Sequence, residues 1–235
     1  MEIDMRSLSK IKTVTALCLS CVFTSPTMAG DKALTVIAID ISGSSPFLVI
    51  DAAAQKLAQF THSLIRKGKA GDEFQITTLG QSGFSAAIDI RAKIGTDSRS
   101  KARVLAKGAA KLVADIPEKF HQKKIKHQGS TSIIDFLENF DARICTNRPA
   151  HIIIATDGIE YTDGFDGKAF SEGKIKLPKA SGRFLDQCHV SMVGVGATLD
   201  GSSNGLYVRI APQWKAFLTS AGAVQVDVLG TRFGE

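Results

Sequence analysis

Three short stretches of this chain put side-chain oxygens where an α/β protein does its chemistry. Asp40-Ile41-Ser42-Gly43-Ser44 is a D-x-S-x-S pattern that directly follows an apolar run, Leu34 to Asp40 (LTVIAID), and precedes a helical period. Gly129-Ser130-Thr131-Ser132 opens another helix in a turn, and Thr156-Asp157-Gly158 ends a second apolar run, His151 to Thr156 (HIIIAT). D-x-S-x-S alone is expected about 0.1 times by chance in a chain of this composition, so its weight comes from this context. A phosphotransferase whose nucleophile is the Asp after a first strand usually shows D-x-D. A serine hydrolase needs a G-x-S-x-G elbow, and the chain is read as having no such stretch. Asp, Ser and Thr also cap helices, a purely structural role that the pattern alone leaves open.

The elements that must position these residues alternate in type. LTVIAID and HIIIAT are continuous apolar runs, the mark of strands buried on both faces. Phe47, Ile50, Ala54, Leu57, Phe60 and Leu64 recur at three or four residues and predict a helix closed by Gly68. Glu73 to Leu79 and Phe84 to Ile94 read as strands, and Gly80 to Gly83 between them suggests a hairpin. Helices are expected over Ser100 to Ala114, stopping near Pro117, over Thr131 to Asp141, and over Tyr207 to Ser220 with Trp214 and Phe217 as ordinary core. Val190 to Val195 and Ala223 to Leu229 read as the last strands. The alternation implies an α/β fold, an open sheet with helices on both faces.

Asp40-x-Ser42-x-Ser44, Thr131 and Asp157, carried on this alternation over about residues 33–230, resemble the metal-ion-dependent adhesion site (MIDAS) of the von Willebrand factor A (VWA) domain family. The resemblance implies a Rossmann-like, doubly wound, mostly parallel six-stranded sheet of order 3-2-1-4-5-6 with one antiparallel edge strand. Ligands of such sheets bind at the C-terminal strand ends where the order reverses, here between the strands that end in Asp40 and Asp157. The implied ligand set is all oxygen, which selects Mg²⁺, Mn²⁺ or Ca²⁺ over Zn²⁺ or Cu²⁺. By resemblance, Ser42 and Ser44 coordinate directly, Thr131 directly or through water, and Asp40 and Asp157 mainly through water or outer hydrogen bonds. The implied function is cation-dependent protein–protein binding in which a partner's Asp or Glu completes the octahedron, without catalysis. No general base is expected nearby, with His62, His121 and His127 assigned to helices or loops elsewhere. The alternatives are a metal-dependent hydrolase or enzyme subunit, and a metal-free assembly scaffold.

In that strand order Cys145 and Cys188 precede neighbouring parallel strands, so a disulfide between them would be structural and opposite the metal edge. His151 and His189 begin the same two strands; they read as surface residues more readily than as a metal pair. The segment 159–187 is long for a connection between neighbours and starts on the metal edge. Its Glu160, Tyr161, Asp163 and Asp166 are therefore candidates for partner selection. Ser171 to Lys174 suggests a small hairpin with Ile175 and Leu177 on one side. The spacing of Asp163 and Asp166 is far from that of an EF-hand.

Composition sets the remaining bounds. With 235 residues, 44% apolar and 22% charged, the chain is a globular protein rather than a disordered, collagen-like or coiled-coil one. Arg6, Lys10 and Lys12, then the apolar Val14 to Phe23, then Thr27-Met28-Ala29, read as a signal peptide over residues 1–29, with Met5 as an alternative start. The expected mature domain is 30–235, periplasmic or extracellular. No later stretch approaches the roughly 20 apolar residues of a membrane helix. The densest basic run, Lys123-Lys124-Ile125-Lys126 between His121 and His127, reads as a solvated loop, because no aromatic ladder or RNA-binding motif accompanies it. Nucleic acid is therefore not an expected partner.

Overall fold

Leu34–Ile39 (β1) and Ala150–Ala155 (β4) are apolar at nearly every position and almost wholly buried. Strands with no polar face to offer water need cover on both sides. The computed structural model describes residues 32–79, 87–139, 143–199 and 205–234, and in it β1 and β4 pair in parallel at the centre of a six-stranded sheet. Glu73–Thr78 (β2) and Asp89–Lys93 (β3) extend it on one side, and His189–Val193 (β5) and Gln225–Leu229 (β6) on the other. The order is β3-β2-β1-β4-β5-β6, with β2–β3 the antiparallel pair. This is the doubly wound order that the resemblance implies.

Alternation along the strands divides the core. Ile37, Ile39, Ile153, Ala155 and Val193 meet Pro46–Val49 (α1), Asp51–Arg66 (α2), Ala102–Ala114 (α3) and Ile116–His121 (α4). Val36, Ala38, Ile152, Ile154, Val190 and Met192 face the other way. They pack with residues of Ile133–Glu138 (α5), Arg143–Asn147 (α6), Gly167–Ser171 (α7) and Leu206–Ser220 (α8). Trp214 and Phe217 of α8 are core residues of this second face. Among the described residues no helix is long and apolar enough to cross a membrane.

The structure departs from the sequence reading in several places. The helix expected over Phe47 to Leu64 is two helices, because Ile50 is extended (φ −107°, ψ 109°) between α1 and α2. Pro117 does not only end a helix; it opens α4, where its missing N–H costs nothing. Among the described residues the helix expected over Thr131 to Asp141 covers only α5, and α6 was not anticipated. The hairpin suggested at Ser171 to Lys174 is absent: the Asp166 carboxylate accepts from the backbone N–H of Lys168 (2.9 Å) and Ala169 (3.0 Å) and starts α7 instead. The expected leader 1–29 and the turn Gly80 to Gly83 lie outside the described residues.

Cys145 and Cys188 form a disulfide with Cα atoms 5.0 Å apart, just before β4 and β5 begin. The histidines at the same strand starts are not plain surface residues. The rings of His151 and His189 stack with centroids 3.8 Å apart and planes within 4°. His151 Nε2 lies 2.8 Å from Ser191 Oγ, and His189 Nε2 lies 2.8 Å from the Asp227 carboxylate. Burial first, and the neighbouring His189 second, push His151 down to about 4.

The sign follows from linkage. Between about pH 4 and 6.5 the unfolded chain binds a proton at His151 that the folded chain refuses, so this contribution is complete above 6.5 and is lost as pH falls. The expected cost on going from pH 7.5 to 5 is about 2 kcal/mol. Denaturant unfolding of the wild type and His151→Gln at both pH values checks it: the difference between them should shrink by that amount in acid.

Candidate metal centre

The edge where β1 and β4 end is built by backbone pairing carried one residue past each strand. Asp40 N–H donates to Ala155 O (2.8 Å) and Thr156 N–H to Val193 O (3.0 Å), so Asp40 and Asp157 leave neighbouring strands side by side. The loop after Asp40 then folds back on it. Ser42 N–H donates to Asp40 Oδ1 (2.8 Å), and the buried Ser45 hydroxyl donates to Asp40 O (2.7 Å). Ser42 and Ser44 are thereby brought together, their hydroxyls 3.3 Å apart. Thr156, to which the sequence reading gave no role, donates from its hydroxyl to Asp40 Oδ2 (2.8 Å) and accepts from Gly158 N–H (3.0 Å). Asp157 Oδ1 accepts from Ile159 N–H (2.8 Å).

Thr131 arrives from a third loop, and two pairings hold that loop in place. Gln128 N–H donates to Ile41 O (3.1 Å), and Thr131 exchanges backbone hydrogen bonds with Tyr161 in both directions (2.8 and 3.0 Å). Ser42, Ser44 and Thr131 consequently line one cleft of about 410 Å³. Gly158 makes the tight exit from β4 possible. Its φ is +82°, a Cβ there would sit 3.1 Å from Val195, and its carbonyl accepts from the buried Trp214 indole N–H (2.7 Å).

Glu160 departs from its expected place in a partner-facing loop. It is 2% exposed, and its carboxylate accepts from Ile133 N–H (2.8 Å) and Ile134 N–H (3.3 Å) at the start of α5. Burial pushes its pKa up to about 7 against the pull of these bonds. Tyr161, at 51% exposure, does face solvent, as does Asp163, while the Asp166 carboxylate is engaged in capping α7. Glu160→Ala strands two backbone donors beside Thr131 and is expected to cost about 2 kcal/mol, with Glu160→Gln costing less because an amide oxygen can still accept. Chemical denaturation of the two variants checks the order.

The electrostatics single out the two aspartates. Asp40 and Asp157 are each 1% exposed. Among the described residues no Lys, Arg or His side chain pairs with either. Burial raises the pKa of Asp40, and burial followed by the Asp40 charge pushes Asp157 up to about 7. Two acids held close with no cation from the protein, beside the hydroxyls of Ser42, Ser44 and Thr131, are a donor set of hard oxygens that fits a divalent cation of the Mg²⁺ type. Among the described residues no three His, Cys, Asp or Glu side chains gather as a metal cluster; here the donors would be two carboxylates and three hydroxyls.

His127 requires a correction. It was assigned to a loop away from the centre, but it lines the cleft with Ser42, Gly43 and Ser44 because the Gln128–Ile41 pairing draws its loop in. A second correction concerns G-x-S-x-G. The spacing does occur, at Gly201-Ser202-Ser203-Asn204-Gly205, well beyond the end of β5, and residues 201–204 lie outside the described set.

No protein-family model and no curated protein matches the chain. Solved structures similar to it include an aerotolerance-related membrane protein from Bacteroides fragilis, 15% identical over 86% of this chain and 92% of that one, with a TM-score of 0.43. A von Willebrand factor type A structure from Catenulispora acidiphila is 17% identical over 82% of this chain and 43% of that one, at TM-score 0.40. The manganese-loaded TRAP protein of Plasmodium vivax is 14% identical over 75% and 62%, at TM-score 0.39. The chain thus spans less than two thirds of the length of the last two. What defines its class is the architecture, an open doubly wound α/β sheet with a polar centre at its switch point.

Proposed function

We propose that this chain is an exported VWA-like domain that binds a partner protein through a divalent cation, Mg²⁺ or else Mn²⁺ or Ca²⁺. The observation that carries the reading is the pair of buried carboxylates, Asp40 and Asp157, that lack any basic partner among the described residues and stand beside three hydroxyls at the switch point. Uncompensated buried charge is costly, and a bound cation removes the cost. Ser42, Ser44 and Thr131 would hold the cation with Asp40 and Asp157. When bound, it supplies an electrophilic centre for an incoming carboxylate.

The chain's own residues do the rest. Thr156 and the Ser42 N–H fix the orientation of Asp40, the Ile159 N–H fixes that of Asp157, and Tyr161 holds Thr131 by its backbone. Two carboxylates balance a divalent ion, and the neutral hydroxyls leave it attractive to a partner's Asp or Glu. The disulfide fits an oxidising compartment outside the cytoplasm, consistent with removal of residues 1–29 as a signal peptide. A pull-down from the native source, run with Mg²⁺ and with EDTA, tests the reading. A partner retained only with Mg²⁺, and lost by a folded Asp40→Ala variant, is the expected result; retention in EDTA would point to a metal-free scaffold.

A second reading has one observation in its favour. His127 on the cleft wall is a candidate general base beside the same centre, so a metal-dependent hydrolase is the alternative. Turnover of a phosphatase or peptidase substrate that disappears in both Asp40→Ala and His127→Gln would establish it over binding alone.

A further inference from the structure

The one formal charge in the lining of the cleft over the centre is positive, that of Lys168. The lining includes Lys168 and His127 but no Asp or Glu, since Asp40 and Asp157 are buried and outside it. Lys168 is exposed on the first turn of α7. The acids near it are engaged elsewhere: Asp166 caps α7, and Glu172, which feels the Lys168 charge, is bonded to Lys174. Among the described residues the Lys168 ammonium makes no ion pair. Tyr161, half exposed, and Ile159 line the same cleft as Lys168. The exposed Lys123, Lys124 and Lys126 precede His127 in the chain.

A surface with this arrangement repels cationic occupants and attracts an anionic chain. We propose that the cleft takes an extended acidic segment of a partner protein bearing two carboxylates, one for the cation and a second for Lys168, with the Tyr161 ring flanking the chain between them. This rests on the cation reading above but adds a selectivity residue that the reading does not contain. Lys168 is three-dimensionally part of the cleft wall, yet it belongs to the long segment after Asp157 rather than to the D-x-S-x-S set. A partner with a lone acidic residue would satisfy the centre and leave Lys168 unused.

The test uses the oxidised mature domain and dye-labelled synthetic peptides. One peptide carries a single Glu in a Gly background, a series carries a second Glu two to four residues further on, and one carries none. Binding is read by fluorescence anisotropy with saturating Mg²⁺ and with EDTA, on the wild type and Lys168→Glu, and Mg²⁺ affinity is read separately by calorimetry. At least one two-Glu peptide should bind the wild type about fivefold tighter than the single-Glu peptide, the scale of one exposed ion pair. Lys168→Glu should remove that preference, read as the ratio of two-Glu to single-Glu affinity within each protein, whatever its effect on the binding of acidic peptides as a whole. Equal binding of all acidic peptides by the wild type, no binding of any, or a preference that survives Lys168→Glu would overturn the proposal. A preference that Lys168→Glu abolishes but EDTA leaves intact would retain the Lys168 subsite and overturn the cation reading, so the two failures are distinguishable.

Discussion

Asp157→Asn is expected to make the metal-free protein more stable at about pH 8, not less, by about 3 kcal/mol. Asp157 is 1% exposed, faces the Asp40 charge, and has its pKa pushed up to about 7 by burial and that charge. In the unfolded chain the same carboxyl titrates near its model value of 3.8. Between those values the folded protein holds a proton that the unfolded chain has released, so metal-free stability falls as pH rises from about 4 to about 7 and is flat above. An Asn removes the charge and keeps an oxygen for the Ile159 N–H. Thermal unfolding in EDTA should show a rise in Tm of roughly 6–12 °C for the variant at pH 8, and a smaller one at pH 5. With Mg²⁺ at about 100 times its Kd most of that gap should close, because only the wild type gains a bound ion. A variant less stable than wild type in EDTA would mean that the two carboxylates are compensated by something other than a cation.

Loss of the disulfide is expected to have an effect of similar size and no bearing on the centre. Cys145 and Cys188 are 43 residues apart in sequence, and closing a loop of that length is worth about 4 kcal/mol in the chain-entropy model. Both sulfurs are buried in the core on the α8 face, so replacement by Ser adds a polar group to an apolar site. Cys145→Ser/Cys188→Ser should lower Tm by roughly 8–16 °C. The bridge joins the N-terminal ends of β4 and β5, while Asp40 and Asp157 sit at the C-terminal ends of β1 and β4. Mg²⁺ affinity, measured by calorimetry well below the lowered Tm, should therefore stay within about twofold of wild type.

What the sequence disclosed and what it withheld follow from the range of the interactions involved. β1 and β4 were legible because a strand buried on both faces must be apolar throughout. Asp40, Ser42 and Ser44 were legible because the loop that groups them is local, closed by bonds from Ser42 to Asp40 and from Ser45 to Asp40. Ile50 was not: it fits the apolar period of a helix, and only its extended backbone shows that two helices meet there.

His127 and Glu160 were misplaced for a different reason. The first reaches the cleft through a pairing of Gln128 with Ile41, and the second reaches α5 because Tyr161 pairs with Thr131. Contacts across such separations leave no periodic mark in the chain. α7 escaped notice because five residues carry too little period, although the Asp166 side chain two residues before Lys168 is a capping signal that could have revealed it.

The proposed divalent cation at the Asp40–Asp157 centre is tested most directly by unfolding with and without that ion. A ligand that binds only the folded state at about 100 times its Kd stabilises by about 2.7 kcal/mol, roughly 5–11 °C in Tm for a domain of this size. A rise of that order is expected for the wild type in Mg²⁺ or Mn²⁺ relative to EDTA, and none for Asp40→Ala. A wild-type Tm that is the same in EDTA and in saturating Mg²⁺, Mn²⁺ and Ca²⁺ would contradict it.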